Sequence, residues 1–389
     1  MKGTTKMYLD NGATTKIDSR VLGAMFPVFT EFFGNASSLY SCGTQTKQYL
    51  EHLRSKFAGF INAQSEEIIF TSGGTEANNL ALKGIAFANK ERGNHIIVSA
   101  IEHDCILNTC RWLETQGFYI TYLPVDNNGF VDYEKLSRFI NPKTILVSVM
   151  HANNEIGTIQ PIAKIGKLCQ ERNVYFHTDA CQSFGKVPID VVAQHVSLMT
   201  VNAHKIYGPK GVGCLYVNKG VNITPLFHGG GQEFGLRSTT ENLAGIAGFV
   251  KAAELCIDEL EIEPKRLLAL RNKLINELQS RFEGFYVNGP VTHRLPGNLN
   301  FAISGLEGET IKILLFLDEK GIAVSAGSAC SNNDTTKSAS HVLQAIGRDQ
   351  FEARGAIRIG LGRFNTEDEI DHFIESFISI VKKLKPIFS

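Results

Sequence analysis

Lys205 closes a strand-like run, Val196 to Val201, in the stretch Val201-Asn202-Ala203-His204-Lys205-Ile206-Tyr207-Gly208-Pro209-Lys210-Gly211. Buried strand ends are places where a lysine amine becomes available for Schiff-base chemistry. Asp179 closes a second apolar run, Val174 to His177, where a carboxylate needs a cation, a ligand or a following helix to cap. Phe70-Thr71-Ser72-Gly73-Gly74-Thr75-Glu76 has the order strand, glycine turn, helix start. Such a turn is either a phosphate site built from free N–H groups or a tight turn with Thr75 as helix cap. No lysine follows it in the P-loop manner and no Gly-x-Gly-x-x-Gly occurs, which disfavours nucleotide triphosphates and dinucleotides. His103 follows another strand and reads either as a hydrogen-bonded structural group or as a catalyst. Cys330, in Ala326-Gly327-Ser328-Ala329-Cys330-Ser331, opens a polar stretch where an exposed, reactive thiol is expected. Arg358 lies inside a strand and needs a carboxylate unless that strand is an edge. Arg237-Ser238-Thr239-Thr240 offers a cation and three hydroxyls suited to an anion.

These residues need a scaffold, and the pattern supplies one. Strand signals at 67–70, 95–99, 118–123, 144–149, 174–177 and 198–201 alternate with helical ones at 75–88, 105–115 and 162–171. That alternation predicts an α/β fold with a mostly parallel sheet between helices, binding ligands beyond the strands' carboxyl ends. From Asn242 to Phe282 the pattern is helical with a break at Pro264. Strands at 298–303, 322–325 and 356–361, a helix at 309–319 and a capping box at Thr366-Glu367-Asp368-Glu369 then predict a smaller α+β domain. The expected division is 15–263 for the large domain and 1–14 with 264–389 for the small one.

At 389 residues the chain is long enough for two cores, and its 39 basic and 39 acidic residues give no field favouring nucleic acid or anionic membrane. The start, Met1 to Lys6 running into strand-like Met7-Tyr8-Leu9, leaves no room for a signal peptide, and no apolar run reaches membrane-spanning length. Eight cysteines without a Cys-x-x-Cys or a metal-like cluster read as free thiols of a cytoplasmic protein.

A phosphate turn, a strand-end aspartate, a lysine and a histidine fit a single ligand. Pyridoxal 5'-phosphate requires a Schiff-base lysine, a carboxylate at the ring nitrogen and an anion site. At this point the motifs also become a resemblance that covers nearly the whole chain. Tyr8-Leu9-Asp10-Asn11-Gly12-Ala13-Thr14-Thr15, Thr71 to Asn79, Asn153-Asn154-Glu155-Ile156-Gly157, His204 to Gly211, Gly327-Ser328-Ala329-Cys330 and Ser340-His341-Val342-Leu343 resemble the cysteine desulfurases. That family has the aspartate-aminotransferase-like fold (fold type I).

The resemblance implies conversion of L-cysteine to L-alanine, with sulfur leaving as a persulfide on Cys330 for an acceptor in iron–sulfur cluster assembly or thiolation. By the same resemblance Lys205 holds the cofactor and shuttles the Cα proton, Asp179 pairs with the ring nitrogen, and Gln182 reaches the ring hydroxyl. His103 stacks on the ring and assists proton transfer at the substrate thiol. Gly74, Thr75 and His204 bind the phosphate, joined by Thr240 from the second subunit of a homodimer. Asn154 and Arg358 hold the substrate carboxylate, Asn154 also facing the cofactor. No resident metal is implied; Cys330 would touch iron–sulfur chemistry only during transfer.

The long stretch from Ser331 to His341 matches desulfurases that deliver sulfur to a protein. Against the family pattern, Asn202 replaces a phosphate-binding serine, Thr239 replaces the glycine of Arg-Ser-Gly-Thr, Gly12 replaces an alanine, and Asn35-Ala36 lacks the usual proline. The chain ends at Ile387-Phe388-Ser389, without the longer tail that housekeeping bacterial members use to dock a scaffold. A selenocysteine lyase shares the cofactor site and is the nearest alternative. A scaffold protein without catalysis would have no need of Lys205, Asp179, His103 and Cys330, and a plain aminotransferase would have no use for a mobile cysteine.

Overall fold

A computed structural model describes residues 7–326 and 339–384, so Cys330 lies outside the described residues. The chain opens with β1 (Met7–Tyr8), α1 (Ser19–Thr30) and α2 (Ser41–Gly59). An alternating run follows: β2 (Ile68–Thr71), α3 (Gly74–Ala88), β3 (His95–Ser99), α4 (Asp104–Thr115), β4 (Tyr119–Leu123) and α5 (Tyr133–Phe139). It continues through β5 (Thr144–Ser148), α6 (Ile162–Glu171), β6 (Tyr175–Asp179), β7 (Leu198–Asn202) and β8 (Gly213–Val217). Next come α7 (Leu243–Asp258), α8 (Glu263–Arg281), β9 (Phe285–Val287), β10 (Asn298–Ile303) and α9 (Thr310–Glu319). The last elements are β11 (Ile322–Ala323), β12 (Ser325–Ala326), α10 (His341–Ala345), β13 (Ile357–Gly360) and α11 (Glu367–Leu384).

Strands β2 to β8 form one seven-stranded sheet in the order β2-β8-β7-β6-β5-β3-β4. Its neighbours pair parallel except at β8, which runs antiparallel to both β2 and β7. Successive residues of one strand serve opposite layers, as the pleat requires. Ile97 joins an apolar layer with Phe57, Phe176, Met199 and Phe249, whereas Ile96 and Val98 join a layer with Leu80, Ile85, Cys110 and Leu215. With helices on both faces, the sheet has the α/β architecture expected of fold type I.

The smaller α+β unit is an antiparallel sheet, β12-β13-β10-β9, packed by α8, α9 and α11. Its core also takes Met7 and Leu9 from the start of the chain. The expected capping box at α11 is present: Thr366 N–H donates to Glu369 and Glu369 N–H donates to the Thr366 hydroxyl, both at 3.3 Å. Pro264 sits in the first turn of α8, where its missing N–H costs nothing. The single strand expected at 322–325 is two: β11 pairs parallel with β1 and β12 pairs antiparallel with β13. Two sheets claim consecutive residues there, and the chain changes partner at Val324. The β1–β11 pair is the seam that delivers the Asp10 to Thr15 segment to the larger unit.

Candidate active site

The carboxyl ends of β2, β3, β5, β6 and β7 open into one cleft of about 740 Å³. Its walls carry Gly74, Thr75, His103, Asn154, Asp179, Gln182, Asn202, His204, Lys205 and Arg358, gathered from separate strand ends and from β13. Thr240 does not line it; it is exposed, at the rim of a separate depression with Phe29, Phe33 and Asn242. Asn78 and Cys105 line the cleft without having been singled out in the sequence.

Each side chain is held by local chemistry. Asp179 ends β6 and is followed by turns rather than a helix, so it caps nothing. Its Oδ1 accepts the Cys181 N–H at 2.9 Å and its Oδ2 accepts the Asn78 amide at 2.7 Å. Burial works to raise its pKa, but those two donors and the charge of Lys205 outweigh it and hold the carboxyl below the usual range. Asp179 is an ionised carboxylate at the floor of the cleft.

His103 serves both readings of the sequence. It is the N-cap of α4, with Nδ1 accepting the Cys105 N–H at 3.2 Å, and it faces the cleft. Burial, then Lys205, pushes its pKa down, so the ring is neutral with its proton assigned to Nε2. The His204 Nδ1 lies 3.2 Å from the Thr14 hydroxyl, and its carbonyl accepts the Thr15 N–H at 2.8 Å. The segment after β1 is thereby fastened beside Lys205. Burial and the charges of Lys205, Lys210 and Lys186 drive the His204 pKa to about 4.

The turn between β2 and α3 is shaped for an anion. Gly73, the N-cap of α3, has φ 153°, which leaves Thr75 inside the first turn rather than capping it. A side chain at Gly74 would meet the Cys181 Sγ at 2.8 Å and the Asn202 amide nitrogen at 3.4 Å, so backbone and Asn202 come close only because residue 74 is glycine. Asn202 is buried, and its Oδ1 has no partner among the described residues. The Gln182 amide donates to the Gly12 carbonyl at 2.8 Å, leaving one N–H of that amide for a ligand.

Arg358 is 2% exposed and its strand is central, not an edge. The carboxylate it needs is Asp10, at 2.9 Å, while its other terminal nitrogen donates to the Asn154 carbonyl at 3.2 Å. Its Nε is buried without a partner. Arg237 is not available to an anion here, because it pairs with Glu76 at 2.8 Å.

The residues present fit pyridoxal phosphate. An ionised carboxylate, an amine with no ion pair among the described residues, and a glycine turn at a helix start with the Asn202 amide nitrogen beside it are the complementary groups, and the unpartnered Arg358 Nε is a further donor left for an anion. The described cysteines other than half-buried Cys42 make poor nucleophiles, since burial raises their thiols, to about 12 for Cys105 and Cys169. Among the described residues no group of His, Cys, Asp and Glu could hold a metal ion.

Comparison with known proteins agrees with this chemistry. Residues 7–373 match the family described as aminotransferase class-V. A cysteine desulfurase IscS of Clostridium botulinum (strain Hall) is 50% identical over 97% of this chain and 95% of its own length. A solved NifS-like protein superposes with a TM-score of 0.90 at 38% identity, covering 97% of this chain and 99% of its own. A structure titled SspA in complex with cysteine superposes with a TM-score of 0.81 at 35% identity, over 92% of this chain and all of that one.

Proposed function

From the premise that the chain belongs to the class-V aminotransferase family and is a pyridoxal-phosphate-dependent cysteine desulfurase, we propose how its residues divide the work. The observation that carries the assignment is one cleft uniting Lys205, Asp179, His103 and the Gly74 turn at the carboxyl ends of five strands. Bound pyridoxal phosphate supplies the electron sink for bond breaking at the substrate Cα. Lys205 attaches the cofactor and carries the Cα proton. Asp179, held ionised, keeps the ring nitrogen protonated. Gly74, Thr75, Asn202 and His204 receive the phosphate, with Thr240 of a second subunit. Gln182 reaches the ring hydroxyl. His103, neutral with Nδ1 engaged, has Nε2 available for the proton at the substrate thiol. Asn154 and Arg358 hold the substrate carboxylate.

Cys330 as thiolate attacks the substrate sulfur, so that L-cysteine and the thiol become L-alanine and a Cys330 persulfide. The persulfide then passes to a protein acceptor, an iron–sulfur scaffold or a sulfur relay, as the length of the 331–341 stretch suggests. We place the domain limits at 15–263 for the large unit and at 1–14 with 264–389 for the small one. A homodimer is supported by exposed apolar side chains: Phe29 and Phe33 line the Thr240 depression, and Phe26 of α1 and Leu39 and Tyr40 just before α2 are also exposed, Leu39 at 99%. A cytoplasmic location is supported by free thiols at the seven described cysteines. No helix among the described residues is long and apolar enough to cross a membrane.

The test is incubation of the holoenzyme with L-cysteine, quantifying alanine and mapping the persulfide by mass spectrometry. Alanine with persulfide on Cys330, both lost in Cys330→Ala, is the expected result. Undiminished desulfuration in that variant would overturn the persulfide step. Lys205→Ala should lose the cofactor's visible absorbance and all turnover together.

A further inference from the structure

The turn after β5 does two things at once. Asn154 lines the cleft and its carbonyl accepts from Arg358 at 3.2 Å. The next residue, Glu155, is buried behind the cleft wall and is not among the residues that line it. Its backbone is pinned from both sides. The Asn153 Oδ1 accepts the Glu155 N–H at 2.8 Å and the Ile156 N–H at 2.9 Å, and the Asn298 amide donates to the Glu155 carbonyl at 3.2 Å. Its carboxyl Oε2 accepts the Ser340 hydroxyl at 2.5 Å. Ser340 caps α10, its oxygen accepting the Leu343 N–H at 3.1 Å, so its only proton is committed to Glu155.

Apolar packing runs along the same seam. Val342 and Leu343 of α10 and Ile346 just after it cluster with Ile101, Met150 and Ile156, which flank the His103 and Asn154 turns. Burial raises the Glu155 pKa to about 7 against the opposing pull of Ser340 and of the Arg358 charge. Glu155 therefore ties the Asn154 turn to the start of α10, and that turn reaches β13 through the Asn154 carbonyl and Arg358. Arg358 itself is divided between Asp10 and the Asn154 carbonyl, with Nε unpartnered. A turn that moved would withdraw that carbonyl and let the guanidinium settle toward Asp10.

We propose that Glu155 is a positioning residue for the substrate carboxylate, holding the Asn154 turn against Arg358 through its bond to Ser340. The proposal rests on the assignment of Asn154 and Arg358 to that carboxylate. It makes Glu155 act on amino-acid affinity, with little effect on cofactor binding or on the chemical step.

The experiment uses the pyridoxal-loaded enzyme and three variants. Affinity for L-alanine is read from the change in cofactor absorbance, and KM and kcat for L-cysteine are measured separately. Glu155→Leu removes the acceptor and should weaken alanine binding and raise KM by about tenfold, with kcat within about threefold and cofactor affinity unchanged. Glu155→Gln keeps a carbonyl oxygen for Ser340 and should stay within about threefold of the parent. Ser340→Ala should reproduce the Leu effect, and the double variant should add little to either single change. Unchanged affinity in Glu155→Leu, failure of Glu155→Gln to rescue, or equal losses in cofactor and alanine binding would each overturn the proposal. Arg358→Gln separates the two readings. If it leaves alanine affinity intact, the carboxylate assignment falls and the proposal with it; if it weakens affinity while Glu155→Leu does not, only the proposal falls.

Discussion

Two carboxyl groups near the cleft share one environment by burial and differ in everything else. Asp179 is 5% exposed and Glu102 fully buried, one residue before His103. Asp179 has an N–H from Cys181, an amide from Asn78 and the charge of Lys205, and it is held ionised. Glu102 has one donor, the Met150 N–H at 2.6 Å on Oε1, while Oε2 has no partner among the described residues. Burial lifts its pKa well above the usual carboxylate value, and the charge of Asp179 lifts it further. Equal desolvation thus gives an anion where donors converge and a neutral acid where they do not. The hydrogen bonds converge on the carboxylate that lines the cleft and leave its neighbour protonated.

The contrast is broken most severely at Asp179. Asp179→Asn keeps the shape and removes the charge, and should lower kcat by on the order of a hundredfold or more. Far-UV circular dichroism should be unchanged, and steady-state rates at wild-type level would remove the aspartate from its role. A smaller effect belongs to Asn78→Ala. It deletes one donor, so the Asp179 pKa should climb toward its ordinary value. A carboxylate whose folded pKa is depressed is ionised above that pKa and lost as pH falls through it. The acid limb of the kcat profile should therefore move to higher pH in Asn78→Ala, with a drop of about tenfold or less near neutrality. An acid limb that stays in place would show that Asn78 does not tune Asp179.

The sequence made the strand ends readable because their apolar runs stop abruptly on a polar residue, as at Asp179 and at Asn202, three residues before Lys205. It made the helix at 75–88 readable through a glycine turn and an apolar stripe. Helix α2 was not readable in this way: its buried face includes Thr46 and Arg54 as well as Leu50, Leu53 and Phe57. Arg54 belongs there only because Glu233, far along the chain, meets it at 2.7 Å. The same limit hid Asn78. An asparagine inside a helix reads as a surface residue until β6 brings Asp179 to it. Glu155 and Ser340 stood in recognisable motifs, but nothing local indicates that one hydroxyl joins them. Local grammar reveals which residues can do chemistry; long-range pairing decides which of them are given a charge.

The mildest change tests the other side of the contrast. Glu102→Gln replaces a carboxyl that is already neutral by an amide of the same shape. Well below the ordinary carboxylate value of 4.5 the wild-type group is protonated both folded and unfolded, so the two proteins should differ in stability by no more than about 1 kcal/mol there. As pH rises past that value the unfolded wild-type chain releases this proton while the folded chain keeps it. The folded state then binds more protons, and wild-type stability falls with pH until the folded pKa is reached. The glutamine variant has no such proton to keep. Its melting temperature, followed from pH 4 to pH 8 on the holoenzyme, should gain steadily on the wild type, with kcat near the wild-type value. Parallel melting curves would mean that Glu102 is ionised in the fold, and that donors alone do not separate it from Asp179.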